Sequence, residues 1–332
     1  MSQQLVLVTG GTGHAGNFII DLLLKEGYKV RTSIRSLAKE QQLRGLYEDV
    51  FGKELVDKNL EIFAADLGND ANWEENLQGV DYVLHVASPF PLQQPENPDD
   101  LIIPAREGSL RILRLAANVS SIKQVILTSS FASVGYGHDP NRTEPFTEKD
   151  WTNVEKDQPP YLLSKVLAEK AAWDFVEENK PHYHFTVICP CGIFGPAYGK
   201  TKQLSTSLEL IRLTLNGSFK EVGVPIYRFG VIDVRDLAKI QVQCINNPKV
   251  YNERFLLATG KTFNFLEVAQ IIAKAVPKEL AENIPTKEMD GPQEPYKSIS
   301  VQKVKTTFNW EPISSPEESV ITSAKSVIAL GL

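Results

Sequence analysis

The sequence predicts an α/β protein built on a doubly wound parallel sheet, with a smaller lobe added late in the chain. Three observations predict it. Short apolar runs without helical period alternate with amphipathic runs up to about Cys189. The first apolar run ends in Thr9-Gly-Gly-Thr-Gly-His-Ala-Gly16. About 150 residues later, Pro159-Pro160 open a segment that carries Tyr161, Ser164 and Lys165.

Gln4-Leu-Val-Leu-Val8 reads as a buried parallel strand, because it is continuously apolar and runs straight into glycines. Asn17 to Gly27 reads as an amphipathic helix closed by glycine. Strand, glycine turn and helix together form a Rossmann-type dinucleotide fingerprint. In it Gly10 permits the tight turn, Gly13 the approach of backbone to a pyrophosphate, and Gly16 the packing of helix on strand. Thr12, His14 and Ala15 share the loop and join the expected cofactor contacts, with the helix N-terminus facing the phosphates. The competing reading is a glycine-rich turn without a ligand.

Tyr28 to Ile34 is the second expected strand. An NAD site calls for an acidic residue about 20 positions past the glycines, to hold the ribose 2′-hydroxyl. Gly27 to Lys39 contains no Asp or Glu; instead Arg35 sits just past the strand and Lys39 one turn later. Arginine can clamp a 2′-phosphate with two hydrogen bonds and lysine adds a point charge, so NADP(H) is the expected cofactor. A third strand, Glu61 to Ala65, ends at Asp66-Leu67, where Asp66 either accepts from an adenine amino group or closes a turn. The fourth, Asp81 to Ala87, runs into Ser88-Pro89-Phe90. Ligands of such sheets sit at the carboxyl ends of the strands, so Val86, Ala87 and Ser88 are expected along the cofactor. The fifth, Gln124 to Thr128, brings Thr128, Ser129 and Ser130 to the same edge.

Tyr161 to about Asn179 is rich in Ala, Leu, Glu and Lys behind two prolines, which predicts a helix. Tyr161 and Lys165 are then i and i+4 on one face. An ammonium about 4 Å from the phenol, at an effective dielectric near 20, is worth roughly 4 kcal/mol, or about three pKa units. That would lower a phenol from near 10 toward its working range as a proton donor, while Ser130 donates to a carbonyl oxygen. Asn118 is either a fourth relay member or the end of the preceding helix.

Later in the chain, Gly192 to Gly230 is loop-rich with a helix near Ser205 to Asn216. Ile232 to Asp236 reads as a return to the nucleotide domain, followed by a helix; Thr262 to Val276 and Pro316 to Leu330 read as further helices, and Gly291 to Pro295 as a loop. The expected division is residues 1–190 with about 228–258 as the NADP-binding domain, and 191–227 with 259–332 as a discontinuous substrate-binding lobe. Phe90, Phe131 and Tyr198 are candidates for an aromatic substrate wall, or for core packing.

The 332 residues are 42% hydrophobic, enough for a large core in one or two domains, and the formal charge of −6 gives no general affinity for nucleic acid. No run approaches 18 apolar residues, so no membrane span is expected. The first strand starts by Gln4, which leaves no room for a secretory or transit segment, and a cytoplasmic monomer or homodimer is expected. Three cysteines are too few for a disulfide framework, and Cys189-Pro-Cys191 has no His/Cys cluster to complete a metal site.

These residues resemble the extended short-chain dehydrogenase/reductase family, in the branch of dihydroflavonol reductase, cinnamoyl-CoA reductase and the yeast ketone and methylglyoxal reductases. The likeness covers almost the whole chain. Beyond the glycine loop it includes Leu84-His-Val-Ala-Ser-Pro-Phe90, Leu127 to Val134, Tyr161 to Trp173, Cys189-Pro-Cys-Gly-Ile-Phe-Gly-Pro196 and Val231 to Ala238. The resemblance implies Ser130, rather than Ser129, as catalytic serine with Tyr161 and Lys165, 2′-phosphate contacts at Arg35 and Lys39, and Pro190 and Ile193 near the nicotinamide. The cinnamoyl-CoA branch carries Asn-Trp-Tyr-Cys-Tyr where Gln158-Pro-Pro-Tyr-Leu-Leu163 stands here, which argues against a CoA thioester. The implied activity is NADPH-dependent reduction of a small or medium aldehyde, ketone or flavonoid-like carbonyl. Hydroxysteroid dehydrogenases and nucleotide-sugar epimerases or dehydratases share the triad, and a catalytically silent NADP(H) sensor is the reading outside enzymes.

Overall fold

A computed structural model of the chain describes residues 3–89, 95–201, 203–291, 295 and 297–331. Among them the strands, in chain order, are β1 (Leu5–Val8), β2 (Lys29–Ile34), β3 (Leu60–Ala64), β4 (Tyr82–His85), β5 (Gln124–Thr128), β6 (His184–Pro190), β7 (Gly192–Phe194), β8 (Arg228–Asp233), β9 (Glu253–Leu257) and β10 (Thr262–Asn264). The chain forms two compact units: residues 1–137, 151–189 and 238–255 in the first, and 138–150, 190–237 and 256–332 in the second.

The first unit holds a seven-stranded sheet in the order β3-β2-β1-β4-β5-β6-β9. Pairing from β3 through β6 is parallel. Val8 of β1 is registered with Thr32 of β2 on one side and Leu84 of β4 on the other, so the winding reverses at β1. The carboxyl ends of β1 and β4 part there, which is where such sheets take ligands. Val6, Leu7, Val8, Val83 and Leu84 are fully buried, as strands covered on both faces must be. The helix His14–Lys25 follows the glycine turn and starts three residues earlier than its apolar pattern suggests, with Gly13 as N-cap. The helix Pro160–Asn179 begins on a proline, whose missing N–H is no loss in a first turn, and stops at Lys180 in the left-handed region (φ 43°).

The second unit is built on the sheet β10-β8-β7, with β10 antiparallel and β7 parallel to β8. Three expectations change here. Thr262 to Asn264 is a strand, not the first turn of a helix, because Asn264 and Glu267 form a reciprocal capping box that starts the helix at Phe265. Ile232 and Asp233 lie in β8 and belong to this second sheet rather than returning to the nucleotide sheet, since β8 is paired on both sides by β7 and β10. Residues 138–150, placed by the sequence in the first domain, also group with the second unit. There Phe146 N–H bonds Ser298 C=O at 2.8 Å and Ser300 N–H bonds Phe146 C=O at 2.9 Å.

Candidate active site

Thr9 organises the end of β1. Its Oγ1 accepts from the backbone N–H of Val86 at 3.0 Å and of Ala87 at 2.9 Å, and lies 2.9 Å from His85 Nδ1. Two acceptor sites are thus used, so the single hydroxyl proton goes to Nδ1, and the ring proton of neutral His85 stands on Nε2. Burial, with the charge of Lys165 adding to it, holds this histidine down at about 3. Its Nε2 is buried without a hydrogen-bond partner among the described residues. The same tie holds Val86 and Ala87 at the end of β1, with Ala87 against Gly10 of the glycine turn. Gly10 has φ +77°, and a Cβ there would come within 3.0 Å of Ala87 Cβ. Thr12, Gly13, His14 and Ala15 are all part-exposed along this turn. Gly13 caps the helix without a side-chain bond, and no acidic residue stands in the first turn. An uncapped, uncharged helix start beside a backbone cradle suits a pyrophosphate.

Arg35 and Lys39 are both exposed just beyond β2, and the residues present fit an added 2′-phosphate. Asp66 is a turn residue: its Oδ1 accepts from Gly68 N–H at 2.7 Å, and its carbonyl accepts from Trp73 Nε1 at 2.9 Å. Leu67 gives its carbonyl to Arg111. Thr128 accepts from Gln241 Nε2 at 2.7 Å and so belongs to the interior of the strand end.

Tyr161, half-buried near the start of its helix, hydrogen-bonds with Ser130, which caps the short helical turn Phe131–Ser133. Ser129 does not share this contact: its hydroxyl donates to Glu169 at 2.5 Å. The two serines point to different partners, and Ser130 is the one beside the phenol. Burial pushes the Tyr161 phenol up from its ordinary value, and the Ser130 bond only partly opposes this. The downward shift expected from Lys165 is not seen: removing the phenolate from water is the main effect, and what opposes it is the Ser130 bond. Lys165, buried one turn on, is itself brought down to about 8 by burial, with Glu169 and Cys189 opposing.

The other expected residues are placed as follows. Phe131 is 3% exposed and packs edge-on against Tyr136, which makes it core of the first unit. Asn118 is exposed and caps the end of the helix Asp99–Ala117. Pro190 and Ile193 lie in the second unit, Pro190 buried at the end of β6 and Ile193 half-buried opposite Ile232. Tyr198, 7% exposed, is buried in the same unit. Phe90 lies outside the described residues. Burial pushes the Cys189 thiol up to about 12. No group of three or more His, Cys, Asp or Glu that could hold a metal occurs among the described residues. The roles of Thr9, Glu169 and Arg254 were missed; the one available signal was a glutamate at i+4 from Lys165 on a helix face that must be buried.

A parallel sheet that reverses beside a glycine turn defines the class: an α/β protein of the Rossmann type. The chain belongs to the NAD dependent epimerase/dehydratase family, whose model matches residues 6–258. This bears out the resemblance drawn from the motifs. It is 35% identical over 292 residues to an uncharacterized oxidoreductase of Schizosaccharomyces pombe, covering 84% of each chain. It is 32% identical over 297 residues to the ketoreductase azaE of Aspergillus niger, covering 86% of each. The crystal structure of yeast methylglyoxal/isovaleraldehyde reductase complexed with NADPH superposes with a TM-score of 0.85 at 27% identity, covering 99% of both chains.

Proposed function

We propose that the chain is an NADPH-dependent carbonyl reductase in which Tyr161 is the proton donor to the carbonyl oxygen of a small or medium aldehyde or ketone. The observation that carries this reading is the Tyr161–Ser130 hydrogen bond on a helix that presents Lys165 one turn later. Relatives named as a ketoreductase and an NADPH-complexed aldehyde reductase support the reaction class and the cofactor.

The bound dinucleotide supplies the hydride. Arg35 and Lys39 would hold its 2′-phosphate, the turn from Gly10 to Gly16 its pyrophosphate, and Val86, Ala87 and Ser88 would line it at the strand end. Ser130 donates to the substrate oxygen and fixes the carbonyl beside the phenol. Tyr161 gives up its proton as negative charge develops on that oxygen, and Lys165, cationic below about 8, steadies the phenolate left behind. The raised phenol pKa keeps Tyr161 protonated at neutral pH, as a donor needs to be.

NADPH consumption against a panel of aldehydes, ketones and flavonoid-like carbonyls tests the reading. Tyr161→Phe is expected to lose at least about 100-fold in turnover while still binding NADPH, as loss of a general acid implies. Wild-type rates in that variant would sink the assignment. NADPH binding by the native protein without turnover of any carbonyl would favour a redox sensor.

A further inference from the structure

The helix of Tyr161 and Lys165 carries a third side chain on the same stripe, Glu169, one turn beyond the lysine. It is 1% exposed. A carboxylate this deep persists only with charge and hydrogen bonds around it. Arg254 of β9 donates from Nε to Oε1 at 2.5 Å and from Nη2 to Oε2 at 3.3 Å. Ser129 donates to Oε2 at 2.5 Å, and Ser133 donates to the same oxygen. Those two serines stand on either side of Ser130. One carboxylate therefore joins the proton-donor helix, the serine turn and the sheet strand β9.

The charge also acts along the helix. Lys165 shares its helix stripe with Tyr161 one turn before and Glu169 one turn after, and it interacts electrostatically with Glu169, with Cys189 of β6 and with His85 of β4. The thiol is held protonated, with its pKa pushed up to about 12, and the imidazole is neutral, at about 3. Against the desolvation of the ammonium Glu169 supplies the larger opposing effect and Cys189 the smaller.

We propose that Glu169 is a positioning residue of the reductase site, which locks the Ser130 turn onto the Tyr161 helix and keeps Lys165 cationic at neutral pH. This inference rests on the carbonyl-reductase reading for its function, but its charge arm is measurable without turnover.

The experiment titrates protein labelled with ¹³C at lysine Cε, the Lys165 resonance being the one lost in Lys165→Arg. Glu169→Gln leaves Arg254 buried without its counter-charge and risks the fold, so Glu169→Gln/Arg254→Gln is titrated beside it. In both, the Lys165 midpoint is expected to fall by about one pH unit, and the alkaline limb of kcat/KM to move with it. A midpoint unmoved in both, or restored to the native value in the paired variant, would overturn the charge role. Ser129→Ala keeps the charge and cuts one tie to the serine turn. It is expected to lose roughly tenfold in kcat with NADPH affinity and the Lys165 midpoint unchanged, as a small misplacement of reacting groups implies. Native kcat in Ser129→Ala would overturn the locking role. A native protein that binds NADPH and reduces no carbonyl would count against the reductase reading instead, while the lysine titration would still decide the charge role.

Discussion

On the proposed mechanism, Lys165 sets the pH range of the site. Burial brings it down to about 8, whereas burial pushes Tyr161 up, so on raising the pH the ammonium loses its proton first. The kcat/KM for carbonyl reduction is expected to fall on the alkaline side with an apparent midpoint near 8, read from steady-state rates across pH. A profile flat beyond pH 9 or so would contradict it. The stability contribution has the opposite sense. A lysine with a folded value below its unfolded value of 10.5 binds fewer protons when folded, so its burial penalty is relieved as pH rises through the window from about 8. Spacing in the sequence revealed the Tyr161–Lys165 pair but not its surroundings, which is why the phenol was expected to shift the other way: desolvation is a property of neighbours brought in by the fold. Arg35 is the simpler case, since absence of an acid and presence of a guanidinium are both readable in sequence. Arg35→Ala is expected to weaken NADPH binding by at least about tenfold and NADH hardly at all, by titration of each dinucleotide, because only the former has a 2′-phosphate to lose. Equal losses would remove Arg35 from that phosphate.

The element most fully legible in the sequence is the first strand-turn-helix unit, because glycine leaves a signature that follows from its missing Cβ. At Gly16 an added Cβ would lie 2.6 Å from the carbonyl oxygen of Gly10, a backbone atom that cannot rotate away. Gly16→Ala is therefore expected to push the helix start off β1, costing about 1–3 kcal/mol in denaturant unfolding and weakening NADPH binding together. Retained affinity with lowered stability would separate packing from ligand contact and end Gly16's part in the cofactor site. The long helix Pro160–Asn179 was readable from composition and its leading prolines. Thr262 to Asn264 was not, because apolar residues just ahead of a helix carry the same pattern whether they continue it or pair as a strand. The polar hub of Glu169, Arg254, Ser129 and Ser133 was invisible for a different reason: its members are up to 125 residues apart, from Ser129 to Arg254, and only the sheet order gathers them.

Across the whole molecule, the alternation of strands and helices specifies the first unit, while the second depends on pieces from three stretches of chain that carry weak local signals. What joins those pieces is partly polar. Asp233, fully buried at the end of β8, accepts from Arg235 Nε at 2.8 Å and Nη2 at 2.8 Å, from Ser319 at 2.9 Å and from Ser314 at 3.2 Å. Burial alone would raise its pKa, but Arg235 and the serine bonds outweigh it and hold the carboxyl below its ordinary 3.8. A depressed folded value means that the stabilisation is present above the unfolded pKa and is lost as pH falls through the folded one, so this unit is expected to loosen under acid below pH 3.8 or so. Asp233→Asn turns one acceptor oxygen into a donor facing guanidinium and hydroxyl donors. Arg235 is partly exposed and can turn to solvent, so the cost is set at about 2–3 kcal/mol rather than the larger figure for a fully buried pair. Amide hydrogen exchange separates this from a general loss of stability. Faster exchange is expected in β7, β8 and the helix Pro316–Ala329, with β1 to β5 unchanged. Equal acceleration in both units would mean that Asp233 holds no part of the molecule in particular.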